Sequence, residues 1–299
     1  MQDKLSKFEK AALLLLMLLA GIFGGLIRYF HLKYGFDALG LAVRGNRHAV
    51  ILAALFALIT LAFAVVIVLA LTGRLFPKDA VAVGTIGAPT ILLSALSALA
   101  AAVGTIVTLA SAVKQLSVWG MLNGILFFAA AILTVPVVRK LSVRSDSASP
   151  IGTASLIIVF WSCFRLIEVY RTVSSTPSVS VYFYDLAALI SLILMFFGCA
   201  GYLYGRSGAM RVYLTVAAYL FFGTVSLVGK GGLCLSALFS GAPVAMANVT
   251  DVCVYLYGFL FALAVIPTFF APRRADPVAE LIQAAAEPEE SGKEEPPVL

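Results

Sequence analysis

Apolar runs of about twenty residues, separated by short polar stretches, set the pattern of this chain. A hydrocarbon core about 30 Å thick is crossed by about 20 apolar residues in a helix. By that rule the pattern predicts eight spans, at 11–31, 48–72, 86–112, 116–138, 150–171, 181–204, 210–229 and 251–271. The third is the least regular. No charge falls between Asp79 and Lys114, more than one straight span needs, and Gly84, Gly87 and Pro89 are expected to hold its first part in the interface. Between the seventh and eighth spans, "LCLSALFSG" is apolar but too short to cross, so an amphipathic loop is expected there, with a re-entrant or interfacial helix as the alternative. The predicted fold class is therefore an all-α integral membrane protein, a polytopic bundle of about eight transmembrane helices.

Composition supports lipid as the solvent. Hydrophobic residues make up 62% of the 299 and charged residues only 12%. A soluble domain carries roughly 25% charged residues. The first run resembles a signal peptide, with Lys4, Lys7 and Lys10 before "AALLLLMLLAGIFGG". Its apolar stretch continues to Ile27 and no Ala-x-Ala site follows, so an uncleaved span is expected.

Lysine and arginine counts set the orientation. With a cytoplasmic N-terminus, the inner segments carry thirteen basic residues and the outer connections seven. Both termini are then cytoplasmic, in the cell membrane. The domains follow: a short N-terminal segment 1–10, a bundle 11–271, and an acidic, Pro-rich tail 272–299. The tail lacks the apolar residues to offset its ordering entropy, so it is expected to be a disordered, solubilising segment, or alternatively a docking peptide for a protein partner. The net charge of +6 is spread over short loops, not gathered on a face that could read nucleic acid, so no nucleic-acid partner is expected.

A hint of duplication is present. Residues 123–140 align without gaps to 257–274, and 55–61 to 186–192, at nearly equal offsets. That would give two four-helix halves, 11–140 and 150–271, in parallel repeat. Against it, Leu/Ala-rich helices align easily with one another. Gly21-x-x-x-Gly25 and Gly201-x-x-x-Gly205 fit close helix packing.

The candidate chemistry lies in "WSCFRLIEVYR" (161–171), where Arg165 and Glu168 sit inside an apolar span. A charge at the bilayer centre costs about 2.5–3.5 kcal/mol on insertion scales, so it faces protein or an aqueous cavity. Glu168, one turn on, is an in-helix partner. A guanidinium has five N–H donors, so a second partner is expected. Alternation of the spans puts Arg28, His31, Asp185, Lys230 and Asp251 at the same outer level.

Two readings follow. Arg165, Glu168, Arg28, Asp185 and Asp251 form a polar site for a small anionic solute or a lipid headgroup, or they pair across helices and stitch the bundle. Arg165 with Glu168 is the structural pair candidate. Arg171 and tyrosines 29, 34, 170, 182, 184, 255 and 257 lie at similar depth, as site members or interface anchors. Cys234 and Cys253 are candidates for a disulfide, or are two buried thiols. With two histidines and no CxxC pair, neither a metal site nor a cofactor is expected.

Three function classes are compatible with this pattern: a small-solute or lipid permease with its site in the outer half, a membrane subunit of a larger complex (quinone-binding or signalling), and a membrane-embedded lipid-modifying enzyme. The permease is favoured. An enzyme is disfavoured because no His or Ser stands convincingly beside the acids.

Overall fold

The computed structural model describes residues 2–36, 41, 43, 45–71, 87–141, 150–174, 182–206 and 208–270. Among them are eight helices long and apolar enough to cross a membrane. They are α1 (Gln2–Tyr34), α2 (Arg47–Leu71), α3 (Ala88–Lys114), α4 (Val118–Leu141), α5 (Pro150–Ser174), α6 (Phe183–Leu203), α7 (Ala209–Phe239) and α8 (Met246–Val265). A 3₁₀ turn, Ile266–Phe269, continues α8 where Pro267 removes a backbone donor. Two expectations, the acidic tail and the interfacial segment before Gly87, fall outside the described residues. Within them, α3 opens at Ala88 with Pro89 in its first turn, where the missing N–H has no cost.

Six helices close a ring in the order α7, α8, α3, α4, α5, α6 and back to α7. Helix α1 runs along α7, and α2 packs on α1. The α1–α7 seam is tight because α1 presents glycine there. A Cβ on Gly21 would lie 2.8 Å from the Leu220 carbonyl oxygen, and one on Gly25 would lie 2.5 Å from Val228. This is the small-residue packing that brings helix backbones together in lipid. Gly205 does something else. It ends α6 at φ +69°, with Arg206 N–H bonded to the Gly201 carbonyl and Gly205 N–H to that of Tyr202. That is a Schellman cap, which needs a left-handed residue, not a packing motif. Neighbour order does not follow the two-half repeat: α1 lies on α7, whereas α5, its counterpart, sits between α4 and α6.

The same cap ends α3, but with Leu116 at φ 51°. A left-handed residue with a Cβ costs about 1–2 kcal/mol, and Leu116 is exposed, so no packing offsets it. Leu116→Gly should therefore raise stability by about 1 kcal/mol. Thermal unfolding in detergent checks this, and an unchanged or lowered midpoint would count against it.

Helix α7 corrects one expectation. The segment after Lys230 is neither an amphipathic loop nor a re-entrant helix, because α7 continues to Phe239 and ends at Gly241, φ +68°. Its 31 residues make it about 46 Å long, well beyond the hydrocarbon thickness. Cys234 and Cys253 consequently stand on facing helices and are free thiols.

Candidate functional site

Five of the six ring helices and α1 bring their polar side chains to one end of the bundle. Arg165 lies fifteen residues into α5, about 22 Å from its start. Its Nη1 donates to Glu168 Oε2 at 2.6 Å, and its Nη2 to Asp251 Oδ1 of α8 at 2.5 Å. Lys230 of α7 is shared: its Nζ donates to Asp251 Oδ2 and lies 3.0 Å from Asp185 Oδ2 of α6. Arg28 of α1 lies 3.8 Å from Asp185 Oδ2, and its Nη1 is 2.8 Å from His31 Nδ1. At the other end of this network, Asn123 Nδ2 of α4 donates to Glu168 Oε2 at 2.6 Å. The Asn123 carbonyl oxygen in turn accepts from Trp161 Nε1 at 3.1 Å.

The structure thus joins Arg28, Arg165, Glu168, Asp185 and Asp251, the five residues read from the sequence, through Lys230. Three cations meet three carboxylates, so the layer is neutral in sum. Burial is graded across it. Arg28 and Asp185 side chains are 0% and 1% exposed, Asp251 is 14% and Glu168 21% exposed. Arg165 has both terminal nitrogens engaged by carboxylates, so it presents no ready fork to an anion.

Other candidates fall elsewhere. Arg171 is exposed, with its guanidinium 4.9 Å from the centre of the Trp119 ring. Tyr34 and Tyr170 are exposed, as interface residues are. Tyr255 and Tyr257 are instead buried in the ring, and the Tyr257 hydroxyl meets Thr134 Oγ1 at 3.1 Å. Asn123 was missed by sequence reasoning. Its only signal is an amide inside the apolar run "MLNGILFF", where any polar group needs a partner.

A cleft of about 860 Å³ lies beside this layer, between α1, α2 and α6. Ala49, Ala53, Ala57 and Ala64 of α2 form one wall, and Phe183 and Tyr184 of α6 face them. The wall from Ala49 to Ala64 spans fifteen residues, about 22 Å. Helix α2 is held off α6 by Phe56, whose ring packs against Phe183, Tyr184, Phe221 and Phe222. The polar edge is His31 with Tyr184, over whose ring the Arg28 guanidinium sits at 4.7 Å. A smaller cavity, about 460 Å³, lies where α4 ends and α5 begins, lined by Arg139 and Lys140. Among the described residues no cluster of His, Cys, Asp and Glu could hold a metal ion.

Comparison with protein-family models, with curated proteins and with solved structures finds no match to this chain.

Proposed function

We propose that the protein is a permease for an amphipathic lipid, which enters from the bilayer through the cleft between α1, α2 and α6. The observation that carries this reading is the cleft itself. Its volume, about 860 Å³, falls in the range of about 300–1,000 Å³ typical of ligand sites. Its lining is also of that kind, apolar and aromatic with a few polar groups, His31 and Tyr184 together and Thr60 on the α2 wall. A bare ion gains little here, because each cation of the adjacent layer already faces a carboxylate. A lipid offers a chain to the alanine wall and a head to the His31–Tyr184 edge.

The charged layer and α2 then divide the work. The layer ties α1, α5, α6, α7 and α8 into one body. Helix α2 has few neighbours, and elements with few buried contacts open most readily. It is the wall that moves to admit and release the lipid. The inward tie of Phe56 is its hinge contact.

Filling the cleft tests this. In Ala57→Phe the ring replaces the open space between α2 and α6, with no charge altered. In proteoliposomes carrying a fluorescent short-chain lipid, the wild type should exchange the probe between leaflets, seen as access to a membrane-impermeant quencher. The variant should exchange it at least tenfold more slowly, with an unchanged unfolding midpoint. Equal exchange by both proteins, or none above empty vesicles for the wild type, would sink the proposal.

A further inference from the structure

We infer that the lipid taken by this cleft has an uncharged head and presents a carbonyl oxygen to the Nε2–H of His31. This rests on the cleft being a lipid site and names the chemistry of its ligand. The starting observation is the 2.8 Å approach of Arg28 Nη1 to His31 Nδ1. A guanidinium has donors only, so Nδ1 is the acceptor in that bond. The ring hydrogen of a neutral imidazole then resides on Nε2, which makes His31 a hydrogen-bond donor to anything at its outer edge. His31 is buried and lines the cleft, so this donor belongs to the cleft's polar edge.

The charge of the head follows from what surrounds Arg28. Its guanidinium is held by Asp185 at 3.8 Å, by His31 and by the face of Tyr184. Asp185 is shared with Lys230, which also holds Asp251. The nearest cation is therefore already neutralised, and among the described residues no Lys or Arg lines the cleft. A phosphate or carboxylate head would be desolvated there without a counter-charge, which is costly. Protonating His31 would not supply one. It would turn Nδ1 into a donor facing another donor and place two cations in contact. A protonated amine fails for the opposite reason, since among the described residues no carboxylate lines the cleft.

A carbonyl satisfies each condition. It accepts one hydrogen bond, carries no net charge, and can ride on an apolar chain long enough for the alanine wall. Two kinds of membrane lipid offer it: an acylglycerol ester and a quinone ring. The aromatic group of Phe56, Phe183 and Tyr184 near the head end accommodates either.

The experiment uses the full chain in detergent with three probes: dioctanoylglycerol, a short-chain quinone, and dioctanoyl phosphatidic acid. Binding is read as dissociation constants from native mass spectrometry. At least one neutral probe should bind the wild type more tightly than phosphatidic acid, and which one binds identifies the source. His31→Leu should weaken that probe about tenfold, the scale of one net hydrogen bond, and His31→Gln, which keeps an N–H donor, should restore most of it. Should His31→Leu not fold, a carbonyl-labelled probe on the wild type keeps the test. Its infrared stretch should shift to lower frequency on binding.

Tighter binding of phosphatidic acid would overturn the inference, as would an unshifted carbonyl or equal affinity in folded His31→Leu. Ala57→Phe separates the two levels. If it abolishes binding while His31→Leu does not, the cleft reading stands and the carbonyl inference falls. If Ala57→Phe changes nothing, the cleft reading itself falls.

Discussion

Asp251→Ala should destabilise the bundle by about 3–5 kcal/mol, more than any other single change in the charged layer. Asp251 accepts from Arg165 and from Lys230, one on each oxygen. Removing it leaves three cations against two carboxylates in a region where Arg28, Asp185 and Lys230 side chains are at most 8% exposed. An uncompensated buried charge cannot recover its solvation, and that loss dominates the effect. Glu168→Gln should cost much less, because Glu168 is 21% exposed and Asn123 can still donate to the amide oxygen.

A double variant makes the charge explanation specific. Lys230→Met with Asp251→Leu returns the layer to two cations and two acids. Arg165 keeps Glu168, and Arg28 keeps Asp185. The pair should therefore be more stable than Asp251→Ala alone. Replacing a buried ion pair by apolar groups of similar size is often neutral or stabilising, whereas breaking it is not. Unfolding midpoints of Lys230→Met, Asp251→Leu and the pair in one detergent, compared as a double-mutant cycle, read this directly. Additive losses would show that Asp251 acts through shape and not charge.

The number of helices and the level of the charges were legible in the sequence for one reason: both depend on hydropathy along the chain. A run of about twenty apolar residues crosses once, and alternation then assigns Arg28, Arg165, Glu168, Asp185 and Asp251 to one end. The pairings were not legible. Which carboxylate meets Arg165 depends on α8 lying beside α7 and across from α5, a property of the ring that no local pattern encodes. Lys230 misled the reading of α7, because a lysine usually marks the end of a span. Here Asp185 and Asp251 neutralise it, and the helix runs on for nine residues. The cleft left no signature at all, since it arises from packing that α2 and α6 do not make on either side of Phe56. Alanines at 49, 53, 57 and 64 read as ordinary helix formers until the facing wall is seen.

Trp161→Ala should be the second most damaging substitution, costing about 3–5 kcal/mol. Trp161 is fully buried, and its partners lie on two other helices, α4 and α8. Its indole stacks on Phe127 of α4 with centroids 4.3 Å apart and planes 7° from parallel. It meets the Tyr257 ring of α8 edge-on at 5.5 Å. In lipid, water exclusion does not drive helices together, so these dispersion contacts and the hydrogen bond from Nε1 are what the residue contributes. Truncation removes all of them and leaves a void in a ring that cannot collapse without moving α4, α5 and α8. It also releases the Asn123 carbonyl, whose amide nitrogen anchors Glu168. The damage should therefore reach the charged layer, so Trp161→Ala and Glu168→Gln should be less than additive when combined. Trp161→Phe separates the two contributions. It retains most of the stacking surface and loses the donor, so its loss should be near 1–3 kcal/mol, the cost of one unsatisfied buried acceptor. A loss equal to that of alanine would place the whole effect in the hydrogen bond. A loss near zero would place it all in packing and remove Asn123 from the chain of coupled groups.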